Sequence, residues 1–310
     1  MDMDTLSAIL IATILAGTPL IITALGQLVA EKSGVLNLGA EGMMSVGAIA
    51  AFIATYQSGN VWLGIFAGMI AGVLMSSLFA VITLTLMGNQ VATGLALSIF
   101  GVGLAAFIGK PYESEALPAA QHLTIPLLSD IPFVGPLLFS HPFLVYFSWL
   151  MFAAITWFLY QSRAGLVLRA IGESPYSGHS IGYPVIRIRY LATLFGGAMA
   201  GIGGAFLSVF YTPMWAEGMV AGRGWIAIAL VVFATWRPLR VVAGAYLFGG
   251  VMVSQLFIQG SGIDINLPSQ FLSALPYLAT IVVLVFISQN KNLIRLNSPA
   301  SLGQPYRPDR

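Results

Sequence analysis

Long apolar blocks constrain this 310-residue chain more than any other feature. Stretches such as Ile9 to Leu25 and Tyr277 to Ser288 stay apolar, without the polar alternation that a membrane-spanning strand shows over about ten positions. Roughly 20 helical residues cross the hydrocarbon core of a bilayer. Nine apolar blocks are candidates, near 5–28, 36–56, 61–86, 91–109, 142–161, 190–211, 224–235, 241–258 and 272–288. The seventh is too short to span alone. Either it begins earlier, around Met214, or it is a re-entrant half-helix lining a cavity, where irregular backbone is tolerated. With 8% charged residues against about 25% in a soluble domain, the chain cannot build a soluble surface. The expected fold is all-α: a polytopic integral membrane protein with eight to nine transmembrane helices, the central ones including re-entrant or broken helices.

The absence of cysteine excludes disulfides, thiolate metal sites and a Cys nucleophile. His122, His141 and His179 are scattered rather than spaced as ligand pairs, so no metal site is expected. No catalytic residues are expected either: there is no G-x-S-x-G, and no acids are paired at helical spacing within a block. The N-terminus carries Asp2 and Asp4 rather than a basic signal-peptide region, so its apolar block reads as a retained first helix.

Basic residues orient the chain. With the ninth block ending in the cytoplasm, Lys32, Arg163, Arg169, Arg187, Arg189, Arg237, Arg240, Lys291, Arg295, Arg307 and Arg310 lie inside and only Lys110 and Arg223 outside. The N-terminus and the proline-rich 110–141 segment are then external, and the C-terminus is cytoplasmic. The domain division follows: a transmembrane domain over 1–290, with its longest cytoplasmic loop at about 163–189, and a cytoplasmic tail over 291–310.

Small residues predict where helices meet in lipid. Gly64, Gly68 and Gly72 share one face of the third block, and Gly197 and Gly201, with Gly203 and Gly204 beside them, mark the sixth; packing or a gating hinge would each use them. Ionisable groups near the bilayer are costly and therefore candidates for function. Glu31 and Lys32 sit at a boundary, where snorkelling or mutual pairing accounts for them. Asn37 and Glu41 stand four apart on one helical face just inside the second block, among Gly34, Gly39 and Gly42. They read either as a cap or bridge, or as part of a pathway. Glu217 and Arg223, with Trp215 and Trp225 nearby, either pair with each other or offer stacking faces and polar groups to a neutral solute. Asn89, Gln90 and Thr93 open the fourth block, as pore lining or as helix caps.

Three segments carry a family resemblance: S-G-V-L-N-L-G-A-E-G-M-M at 33–44, R-A-I-G-E-S-P at 169–175 and E-G-M-V-A-G-R-G-W-I-A-I-A-L-V at 217–231. In this order the chain resembles permease subunits of bacterial ABC importers, in the nucleoside (guanosine-type) and simple-sugar branch of the branched-chain amino acid and ribose permease superfamily. Ser177 and Gly178 depart from the two small alanine-like residues usual after the loop proline. The resemblance implies that Arg169, Gly172, Glu173 and Pro175 belong to an element docking on an ATP-binding subunit. It also implies a second, related permease chain and an external solute-binding lipoprotein.

No G-x-x-x-x-G-K-[ST] loop occurs, so no cofactor is expected in this chain and ATP would be bound by the partner subunit. Membrane lipid is an expected partner and nucleic acid is not. The implied function is half of a translocation pathway for a small polar solute, foremost nucleosides. Alternatives are a permease for simple sugars or branched-chain amino acids, an ion-coupled secondary transporter, or a non-transporting scaffold.

Overall fold

The computed structural model describes residues 3–118, 123–124, 129, 131, 134–260, 274, 278–279, 281–282 and 297–307. The ninth block lies largely outside these residues, as do 119–122 and 125–128 of the 110–141 segment. Among the described residues, six helical stretches are long and apolar enough to cross a membrane: Thr5–Lys32, Val61–Thr85, Gln90–Tyr112, Phe143–Gln161, Val185–Tyr211 and Pro238–Gln259. At 1.5 Å per residue each reaches about 30 Å or nearly so, the thickness of the hydrocarbon core.

The helices are α1 (Met3–Lys32), α2 (Ala40–Ser58), α3 (Val61–Ala80), α4 (Gln90–Gly109), α5 (Val134–Phe139), α6 (Phe143–Gln161), α7 (Arg163–Glu173), α8 (Pro175–Ser180), α9 (Val185–Phe206), α10 (Arg223–Phe233) and α11 (Pro238–Gly260). Leu123–Thr124 and Ser140–His141 pair as a short antiparallel ladder. Helices α3 and α9 run on into π-helical turns, Val81–Thr85 and Leu207–Tyr211. The end of the first turn and the start of α9 are joined by a hydrogen bond between Thr85 and Tyr190.

Helix α9 is the axis of the molecule. Its apolar window is 78% buried, against 28–33% for the spans of α3, α4, α6 and α11. It packs on α1, α2 and α3, and the glycines explain how closely. A Cβ on Gly72 would run into the Gly197 carbonyl, and one on Gly201 into that of Gly68; Gly68 also faces Gly47. With no water to expel between helices in lipid, this close backbone approach supplies the association. The glycine stripes are therefore packing surfaces. On the outer faces, Phe66, Leu74, Ile99, Phe107, Leu150 and Trp157 are exposed, as a bilayer-facing surface requires.

Between α1 and α2 the chain is not helical. Gly34 takes φ +90° and residues 35–39 are irregular before α2 begins at Ala40. This break lies deep against α4: Gln90 Oε1 accepts from Leu36 N at 2.8 Å, and Ser98 Oγ donates to the Leu38 carbonyl at 2.8 Å. Ser98 is eight residues along α4 from Gln90, about 12 Å, so the break climbs a good part of the way along that helix.

Candidate functional site

Two polar assemblies stand out in this apolar frame. The first surrounds the N-terminus of α10. Gly222 takes φ +81°, and Glu41 caps the helix that follows: its Oε1 accepts from Gly222 N at 2.8 Å and its Oε2 from Gly224 N at 2.7 Å. A carboxylate at a helix N-terminus meets unpaired N–H groups and the positive end of the helix dipole. Gly224 permits the contact, since a Cβ there would lie 2.5 Å from the Glu41 backbone. At eleven residues, about 16 Å, α10 is half the length of a span. Its far end is also held by a buried carboxylate: Trp236 Nε1 donates to Glu31 Oε2 at 2.6 Å, with Thr235 and Trp236 both at positive φ. Glu31 and Glu41 flank the same break, so they brace α10 at its two ends.

The other residues singled out near here take separate places. Asn37 is not on a helical face with Glu41, because α2 starts only at Ala40. Its Oδ1 instead accepts from Gly39 N at 2.8 Å, closing the turn that launches the helix. Asn89 is the N-cap of α4, accepting from Ala92 N at 2.9 Å. Gln90 is buried, its Nε2 without a hydrogen-bond partner among the described residues. Thr93 lines a groove with Leu78, Ile82 and Phe100.

Glu217 and Arg223 do not pair. Glu217 is exposed, while Arg223 Nη1 donates to the Met219 and Val220 carbonyls and its guanidinium lies 5.6 Å from the Tyr211 ring centre. Trp215 is buried over Gly109 and lines, with Glu41, Ser45 and Met219, a cavity of about 130 Å³; Trp225 is 37% exposed. Glu31 and Lys32 likewise find other partners, Lys32 Nζ donating to the Asn297 carbonyl at 2.7 Å.

The second assembly is at the opposite end of α10. The 163–189 segment folds as α7, α8 and the first residues of α9. Ser162 caps α7, accepting from Gly165 N at 2.9 Å, and Ser174 caps α8, with Pro175 in its first turn. Gly172 does not break α7. It lets the helix lie against the Lys32 carbonyl, where a Cβ would collide. Arg169 stacks 5.3 Å from the Tyr160 ring centre, and Glu173 accepts from Ala300 N at 3.3 Å. Tyr176, His179, Ile181 and Tyr183 are exposed beyond them.

Sequence reasoning missed Arg189, which is 1% exposed, together with the tail residues Ser301, Gln304 and Tyr306 that close over it. Helical phase carries the signal for Arg189. It extends the inward stripe of Thr193, Gly196, Gly197, Ala200 and Gly204, whereas Arg187, two residues away, points outward.

Residues 9–287 match the family described as the permease component of branched-chain amino acid transport systems. The chain belongs to this permease family. The resemblance carried by the three sequence segments is thereby borne out. Among similar proteins is a Haloferax volcanii ABC transporter permease provisionally assigned to glucose, 39% identical with 97% of each chain covered. A nucleoside ABC transporter permease of Lactococcus lactis is 31% identical over 91% of this chain and 92% of its own. A guanosine ABC transporter permease of Bacillus subtilis is also 31% identical, with 97% of each chain covered. The permease is a multi-pass membrane protein of the ABC transporter class.

Proposed function

We propose that this permease forms half of the translocation pathway of an ATP-driven importer for nucleosides. The observation that carries the reading is the brace of α10 on the broken 33–39 segment, in a chain related over most of its length to nucleoside and guanosine permeases. A half-helix pointing its N-terminus at a polar break is the kind of discontinuity transporters place beside a pathway. On this reading α10 is re-entrant, the ninth block completes eight to nine crossings, and Asn37, Glu41, Asn89, Gln90, Thr93, Trp215, Glu217 and Arg223 border the route. The transmembrane domain runs over 1–290 and the cytoplasmic tail over 291–310.

Arg169, Gly172, Glu173 and Pro175 then belong to the coupling element within 163–189, with the exposed face of Tyr176, His179 and Ile181 against the ATP-binding subunit. That subunit holds the ATP, and this chain holds no cofactor or metal. The remaining partners are a second, related permease chain forming a heterodimer, an external solute-binding lipoprotein and membrane lipid. The protein sits in the bacterial cell (inner) membrane, N-terminus outside and C-terminus in the cytoplasm. The alternation is simple. ATP closes the ATPase pair, α7 and α8 move with it, and the helices exchange inward-open for outward-open.

Vesicles holding the whole importer test this with labelled guanosine, with and without ATP. Uptake should need ATP, and Glu173→Ala should leave membrane insertion intact while separating hydrolysis from uptake. Guanosine uptake driven by an ion gradient without ATP, or normal coupling in Glu173→Ala, would overturn it. Glucose is the second probe, because the Haloferax relative, at 39% identity, favours a sugar as substrate.

A further inference from the structure

The C-terminal segment 297–307 binds three elements that meet at one end of the molecule. Ser301 donates through both its main-chain N and its Oγ to the Gly172 carbonyl, at 3.0 and 2.6 Å, holding the end of α7. Gly303 N donates to the Gly34 carbonyl at 3.2 Å, holding the start of the break between α1 and α2. Tyr306 is buried among Ile171 and Val185, its ring edge-on to Tyr176 at 5.2 Å.

At the centre lies Arg189, near the start of α9. Its Nε donates to the Ser33 carbonyl at 3.1 Å, its Nη2 to Ser301 Oγ at 2.8 Å and its Nη1 to the Gln304 carbonyl at 3.5 Å, while its guanidinium lies 5.8 Å from the Tyr306 ring centre. No carboxylate is among these partners. A cation held this way is an expensive means of filling space, and an apolar side chain would pack at lower cost. What the guanidinium supplies is a planar fork reaching separate elements at fixed angles.

Resting on the coupling reading above, the geometry points to Arg189, clasped by Ser301 of the tail, as the positioning residue that carries movement of α7 and α8 to the 33–39 break, and through Glu31 and Glu41 to α10. The tail is then a working part of the gate. Movement at Gly172 draws on Ser301, Ser301 on Arg189, and Arg189 on Ser33, so that the break and the coupling element shift as one body.

The test uses the complete importer in proteoliposomes. This chain has no native cysteine, so Met219→Cys places its single thiol in the cavity beside Glu41. Labelling of that thiol by a maleimide is compared with and without vanadate trapping of the ATPase, and ATP hydrolysis is measured in parallel. Arg189→Gln and Ser301→Ala should each reduce the trapping-induced change in labelling by about two- to thirtyfold, with subunit assembly and hydrolysis retained. Arg189→Lys, keeping the charge without the fork, should fall between.

An unchanged labelling response in Ser301→Ala and in Arg189→Gln would overturn the inference. Should Arg189→Gln fail to assemble, Ser301→Ala decides alone, since it keeps the main-chain bond to Gly172. Ile181→Asp, on the exposed face after α8 and away from the tail, separates the two ideas. If the unaltered importer shows no response to trapping, or Ile181→Asp leaves assembly and response intact, the coupling reading itself fails and this inference fails with it.

Discussion

Glu41 caps the helix that Glu217 precedes by six residues, and burial separates the two carboxylates. Glu41 accepts two main-chain N–H groups, and hydrogen bonds to a charged acceptor are the strong kind. Glu41→Gln turns an amide donor toward one of those N–H groups. It should destabilise the purified protein by on the order of 2 kcal/mol, read as a lower thermal midpoint in detergent, and reduce uptake. Glu217→Gln, at an exposed position, should stay within about 0.5 kcal/mol. Gly172→Ala should cost about 1–3 kcal/mol by pushing α7 off the Lys32 carbonyl, while an alanine at Gly182, where no atom lies within 4 Å of a Cβ, tests only the φ of +88°. At this scale the sequence drew attention to polar positions but left their partners open. Glu41 was legible as a buried acid, yet its partners lie 181 and 183 residues away and are main-chain atoms, which have no signature in side-chain identity. Asn37 reads as helical on spacing alone, but its side chain bonds locally to Gly39 N and holds a turn.

Helices were the most legible features. The blocks at 61–86, 91–109 and 142–161 meet their helices within a residue or two, because a run that must bury every backbone polar group in lipid has few other options. The block at 190–211 begins late, since α9 starts at Val185. Arg187 and Arg189 interrupt the apolar run without interrupting the helix. The glycine stripes gave the contact faces, and they can be tested as such. Gly201→Leu places a branched side chain against the Gly68 carbonyl and the Gly72 amide. It should separate α3 from α9, with loss of folded, detergent-stable protein measured by size-exclusion chromatography. Gly103→Leu, where a Cβ meets nothing within 4 Å, should leave the yield unchanged.

For the whole molecule, the rings of Tyr176 and Tyr306 in edge contact place α8 and the tail at one end. In this cysteine-free chain, Tyr176→Cys and Arg307→Cys should both react with an impermeant maleimide only when the cytoplasmic face is exposed, and Glu113→Cys only from outside. Labelling of the first two from opposite sides would overturn the orientation. That expected orientation was legible in the charge census. The closure of the tail was not, because Asn297 to Tyr306 is short, polar and far in sequence from everything it touches.

That distance also bears on how the protein is made. Glu31 leaves the ribosome in the first helix, and its partner Trp236 follows 205 residues later, about 10–40 s at ordinary elongation rates. Lys32 waits longer still, for Asn297. Through that interval the newborn first helix carries an acid and a base at the membrane boundary with their final partners not yet synthesised. A truncated chain ending before Trp236 would leave both groups without these partners and exposed to the quality-control proteases of the membrane.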